Sequence, residues 1–78
     1  MTTITHHVIG QGGKYVAHLE GEDAQGMLEW EPGAESDGAE VRVATHTIVP
    51  KEIGGRGVAA ELVDRLVRDA RDQGFKID

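Results

Sequence analysis

Residues 45–77, THTIVPKEIGGRGVAAELVDRLVRDARDQGFKI, change their hydrophobic period once, and that change decides the fold. Upstream of Pro50 the chain alternates. Val41, Val43, Thr45, Thr47 and Val49 fall on one face of a strand and Arg42, Ala44, His46 and Ile48 on the other. Downstream of Gly57 the period becomes 3.6, with Val58, Ala59, Leu62, Val63, Leu66, Val67 and Ala70 in one apolar stripe. Glu61 with Arg65 and Asp64 with Arg68 stand at i,i+4 on the opposite side and are expected to pair on a solvated face. Gly74 stops the helix, and Phe75–Ile77 begin another strand. Between the two periods lie Gly54, Gly55 and Gly57.

Working outward, residues 3–9 (TITHHVI) and 14–20 (KYVAHLE) are rich in β-branched and aromatic residues and flank GQGG, the pattern of a hairpin. Residues 26–31 (GMLEWE) alternate again, and 32–40 (PGAESDGAE) have the composition of a loop. The order predicts an α+β domain spanning residues 1–78: four antiparallel strands, a glycine turn, one long helix and a last strand. That last strand is expected to return parallel to its predecessor by a right-handed crossover. It has only three or four residues before Asp78, shorter than a mean strand of about five or six. The expectation is a ragged end or a truncated last strand.

A chain of 78 residues buries only roughly 60% of its unfolded surface, and this one carries one Tyr, one Trp and one Phe. Its core must be thin, which is compatible with a monomer or a weak homodimer. Fourteen acids against eight Lys and Arg give a formal charge of -6, so no basic face for nucleic acid is expected. No apolar run approaches the length of a membrane span or signal core, and there is no cysteine. The expected setting is cytoplasmic.

A strand end, a glycine turn and an immediate helix leave several backbone N–H groups unpaired and aligned. The first N–H groups of a helix lack internal acceptors, and the macrodipole adds about half a positive charge there. Phosphate is the ligand such a place favours. A nucleotide P-loop requires Lys then Ser or Thr where Val58 and Ala59 stand, so it is excluded. The dinucleotide fingerprint G-x-G-x-x-[GA] is met by Gly55–Ala60, with Asp78 about 20 residues on. Four residues between Val49 and the first glycine argue against it. The acetyl-coenzyme A turn [RQ]-x-x-G-x-[GA] is matched by Gly57 and Ala59, with Gly54 at the position where Arg or Gln is typical.

Over residues 45–77 the chain resembles the small single-domain GNAT-like N-acetyltransferases of the YjdJ type. His46-Thr47 in the strand, Pro50 after it, the glycine turn and the helix ending in AR-x-x-G-x-K carry the likeness. The resemblance implies a GNAT-like fold that binds acetyl-coenzyme A as cosubstrate and transfers acetyl to an amine acceptor. It implies a pyrophosphate cradle at Gly54, Gly55, Arg56, Gly57, Val58 and Ala59, and pantetheine pairing at Ile48 and Val49. Lys51 and Arg56 would add positive charge.

Transfer requires a base for the amine proton and donors for the oxyanion. His46 and Glu52 are the nearest titratable groups, and His46 is the candidate catalytic residue. His6 and His7 point to opposite faces and His18 lies on the next strand, so at most two share a face and no metal site is expected. YjdJ-type proteins carry a Cys-containing segment after the last strand, which this sequence lacks. The alternative function is therefore a noncatalytic acyl-coenzyme A binding module of the same fold, and behind it a dinucleotide-binding fragment.

Overall fold

The computed structural model describes residues 2–35 and 37–78. Four strands follow one another antiparallel: β1 (Thr2–Ile9), β2 (Gly12–Leu19), β3 (Gln25–Pro32) and β4 (Val41–Ile48). The helix α1 (Val58–Gln73) then crosses the sheet, and β5 (Lys76–Ile77) returns parallel to β4, completing the order β1-β2-β3-β4-β5. The expected α+β arrangement is thus present. The expected loop at 32–40 contains Ser36, which lies outside the described residues, and Pro32 closes β3. Among the described residues no helix is long and apolar enough to cross a membrane.

Hydrophobic patterning explains which face is covered. Tyr15, Ala17, Leu28 and Trp30 of β2 and β3 share a face, and α1 lays Val58, Leu62 and Leu66 onto it, with Ile53 and Phe75 closing the two ends. The helix stripe is narrower than its sequence implies, because Val63 and Val67 remain 45% and 40% exposed. One helix has apolar partners only along the strip that touches the sheet.

The predicted surface pairs are also rearranged. Arg65 does not pair with Glu61; its Nε donates to Asp69 Oδ1 at 3.2 Å and its Nη1 to the Ile4 carbonyl at 3.1 Å. Asp69 is buried and accepts a second hydrogen bond from the Tyr15 hydroxyl at 2.8 Å. A buried carboxylate demands such partners, and a cation and a phenol supply them. Alongside, the His6 ring stacks on Tyr15 at 4.2 Å and accepts from Trp30 Nε1 at 3.1 Å. The Arg42 guanidinium lies between the rings of Trp30 and Phe75, at 4.1 and 3.9 Å. Its Nε donates to Glu40 at 2.6 Å, while its Nη1 is buried without a partner.

Burial and the hydrogen bond to Asp69 push the Tyr15 hydroxyl well above its ordinary value of 10.0. Burial, then the neighbouring Arg42 cation, lower His6 below 6.5. Both groups therefore fold in their neutral forms. A raised phenol contributes stability below the unfolded value that is lost as pH rises through it; a lowered imidazole contributes stability above the unfolded value that is lost as pH falls. Denaturant melts should show a plateau that declines below about pH 6.5 and above about pH 10. Tyr15→Phe should lower stability by about 1.5–3 kcal/mol by stripping a donor from a buried carboxylate, and urea unfolding at neutral pH measures it.

Candidate functional site

The segment from β4 to α1 is an exposed arch pinned at both feet. A turn of 3-10 helix at Lys51–Ile53 delivers Ile53 to the core, where it is fully buried, and Val58 at the helix start is buried too. Gly54, Gly55, Arg56 and Gly57 between them are exposed. Pro50 C=O accepts from Ile53 N–H and Lys51 C=O from Gly54 N–H, both at 3.1 Å, which closes the first foot.

The three glycines differ in what they do. Gly55 (φ +80°) and Gly57 (φ +74°) occupy the left-handed region, where a side chain is strained. Gly54 has φ -64° and ψ 149°, and a Cβ there would meet nothing closer than 3.4 Å. Nothing in the backbone requires glycine at that position, so an Arg or Gln side chain fits it sterically.

The first main-chain bond of α1 runs from Glu61 N–H to Gly57 C=O at 3.0 Å. The N–H groups of Val58, Ala59 and Ala60 precede it and have no acceptor among the described residues. They share the helix start with the positive end of a 16-residue dipole. Gly26 brings this start close to the sheet: a Cβ there would stand 2.7 Å from Val58 Cγ1. Sequence reasoning did not single out Gly26, although a glycine inside a strand is a signal of close approach.

Arg56 is tied down. Its Nη2 lies 3.2 Å from Glu22 Oε1, on the turn between β2 and β3. Both side chains are partly exposed, so this pair is worth at most about 1 kcal/mol and yields readily to a better anion. Lys51 and Glu52 are exposed.

The other half of the site is the outer edge of β4. β5 pairs only with Val41 and Arg42, so among the described residues the edge from Val43 to Ile48 has no neighbour. Residues 44–48 are exposed, and Val49 is half-buried against the core. The strict alternation expected along β4 fails at Thr45. Glu29 faces His46 and Trp30 faces Ala44, leaving Thr45 as an extra residue in a β-bulge, its hydroxyl 3.3 Å from the Glu29 carbonyl. Consequently Arg42, Ala44 and Thr47 lie on the helix side of the sheet, and Val41, Val43, His46 and Ile48 on the other. His46 therefore does not share a face with Ala44. It is exposed, on the side away from α1, opposite Glu29 in register.

The three remaining histidines distribute as expected. His6 is on the helix side, while the Nε2 atoms of His7 and His18 both lie 3.1 Å from Thr5 Oγ1 on the other. Among the described residues no group of three or more His, Cys, Asp or Glu converges on one point.

Residues 49–57 separate β4 from α1, longer than the tight turn a dinucleotide fold places directly on its strand end. Two concavities lie elsewhere on the molecule and include no residue of the arch. One, of about 360 Å³, is a groove between β1 and α1; the other, of about 260 Å³, is bounded by Ala34, Val41 and Lys76–Asp78. A strand edge and a row of amides form an open ledge, which needs no cavity.

A family model described as GCN5-related N-acetyl-transferase matches residues 14–78. No curated protein and no solved structure matches the chain.

The two kinds of glycine in the arch are separable by mutation. Gly57→Ala should destabilise by about 1–2 kcal/mol. Gly54→Ala should leave stability unchanged or raise it by up to about 1 kcal/mol. Equal losses in urea unfolding would contradict the arch geometry.

Proposed function

The chain belongs to the GCN5-related N-acetyltransferase family, and from that premise we propose that it binds acetyl-coenzyme A along the β4 edge and the glycine arch and passes acetyl to an amine. The observation that carries this reading is the continuity of two unmet sets of main-chain groups. The free edge of β4 leads to an arch that opens onto the unpaired N–H groups of α1. An extended pantetheine arm would add to that edge as a strand does, with Ile48 and Val49 its nearest partners. The pyrophosphate would then meet the amides of Gly55–Ala59. Arg56 would exchange Glu22 for phosphate oxygens, and Lys51 would add a second positive charge nearby. The likeness to the YjdJ-type members over residues 45–77 supports the same assignment.

In the transfer itself the amine nitrogen attacks the thioester carbonyl, the C–S bond breaks, and the sulfur leaves as thiolate to be protonated. A main-chain N–H near the end of β4 would stabilise the oxyanion, where donors fixed in advance are most effective. His46, exposed on the sheet face opposite α1 and paired in register with Glu29, is our candidate for the group that takes the amine proton.

A second reading is a noncatalytic acyl-coenzyme A binding module of the same fold. Release of free thiol from acetyl-coenzyme A with a panel of amines separates the two, since binding without turnover leaves only the module.

Binding has its own test. Titrating coenzyme A into labelled protein should shift the amides of Ile48, Val49 and Gly55–Ala59 most. No shift there at millimolar ligand would sink both readings. Gly54→Arg places a guanidinium where the backbone has room for it, and should tighten coenzyme A about 2- to 10-fold, measured by the same titration.

A further inference from the structure

Among the described residues β1 is an edge strand with a neighbour on one side only. Its eight residues, TTITHHVI, contain no Asp, Glu, Lys, Arg, Pro or Gly. Sheet edges are ordinarily guarded by charge, proline, a bulge or a covering element, because a bare edge is a template for another strand. β1 pairs with β2 without a register break and ends in Val8 and Ile9, which are 68% and 60% exposed. Among the described residues its one covering hydrogen bond is from Arg65 Nη1 to the Ile4 carbonyl, whose oxygen has a second lone pair.

The groove beside this edge supplies the partner's chemistry. It is lined by Thr2 and Ile4 of β1 and by Glu61, Asp64, Arg65 and Arg68 of α1. Along the helix the acids come first and the bases after. Asp64 and Arg68 form no ion pair despite their i,i+4 spacing, and Glu61 has none either, among the described residues. A face with acids at one end and unpaired base at the other is complementary to itself when turned by 180°.

We propose that β1 and the adjoining face of α1 form the interface of a homodimer, in which two copies pair their β1 strands antiparallel about a two-fold axis normal to the sheet. The axis sets Glu61 and Asp64 of each helix toward Arg68 of the other copy. This is an isologous interface, so each contact occurs twice. The spacing is compatible: α1 packs over β2 and β3. With each helix astride β2 and β3, the two axes would lie about four strand spacings apart, roughly 19 Å, and helices with side chains are about 10–12 Å across, so a gap of roughly 7–9 Å is left for extended Arg68, Glu61 and Asp64 side chains to bridge. The joined sheet would have ten strands, with β5 and the free stretch of β4 of each copy at its outer ends, leaving the two coenzyme A ledges unobstructed.

Sedimentation velocity across a concentration series, with salt as a second variable, reads the association. A dimer is expected, weakened by Arg68→Glu at least about 10-fold. It should be restored when Glu61→Arg and Asp64→Arg are added to that variant. All three positions are at exposed sites, and circular dichroism checks that each variant is folded. Amide hydrogen exchange locates the contact: protection of residues 2–9 should rise with protein concentration while residues 44–48 stay unprotected. A monomer at every concentration up to about 1 mM, a dimer indifferent to the charge swap, or concentration-dependent protection at 44–48 instead of 2–9 would each overturn the proposal.

Discussion

One helix has to cover five strands, and most of the molecule follows from that shortage. A helix with its side chains is about 10–12 Å across, whereas five strands span roughly 19 Å. Leu62, Leu66 and Val58 therefore seal only the middle of the sheet, over β2 and β3. The flanks are closed by flat side chains stacked on one another. On one side His6 stacks on Tyr15, and on the other Arg42 fills the space between Trp30 and Phe75. These polar rings and cations need partners, which is why Asp69, Arg65 and Glu40 are drawn in around them. A thin aliphatic core is thus completed by hydrogen-bonded and cation–π contacts, which tie the fold to protonation state more closely than an aliphatic core would.

The same shortage explains where the sequence was legible. Element type and order follow from period, and the periods here are sharp: two in residues 41–49, then 3.6 from Val58 onward. The arch was legible because left-handed backbone and an abrupt helix start both leave their mark as glycine, at Gly55 and Gly57. Gly54 was read together with them, yet its backbone is ordinary, because sequence records which residue is present and not the φ that it adopts. Asp69 was invisible as a core residue. In a helix of mixed charge its spacing from Arg65 looks like a surface pair, and only the approach of Tyr15 from 54 positions upstream identifies it.

The bulge was illegible for a different reason. Thr45 sits in a run whose alternation is unbroken by composition, so residues 41–49 read as one regular strand. The register with β3 shifts between Glu29 and Trp30, and the faces exchange there. Sequence alternation describes a strand in isolation; the bulge belongs to a pair of strands. Its effect is local and directed, since it puts His46 and Ile48 on the face away from α1 and lies within the unpaired part of the β4 edge.

The arch also determines what kind of perturbation can test the binding proposed for it. Its donors are main-chain amides, held by the buried feet Ile53 and Val58, and the residues that carry them are Gly, Arg, Val and Ala. Trimming side chains to alanine leaves every one of those N–H groups in place, and at Ala59 and Ala60 it changes nothing at all. A scan of that kind would miss the donors at Ala59 and Ala60, and elsewhere in the arch it would report the Arg56 charge, the packing of Val58 or the strain of a side chain at Gly55 or Gly57 instead of the amides. Replacing single amides by esters removes one donor while preserving shape, so the binding mode proposed for this region is one that backbone chemistry, and not side-chain trimming, can test.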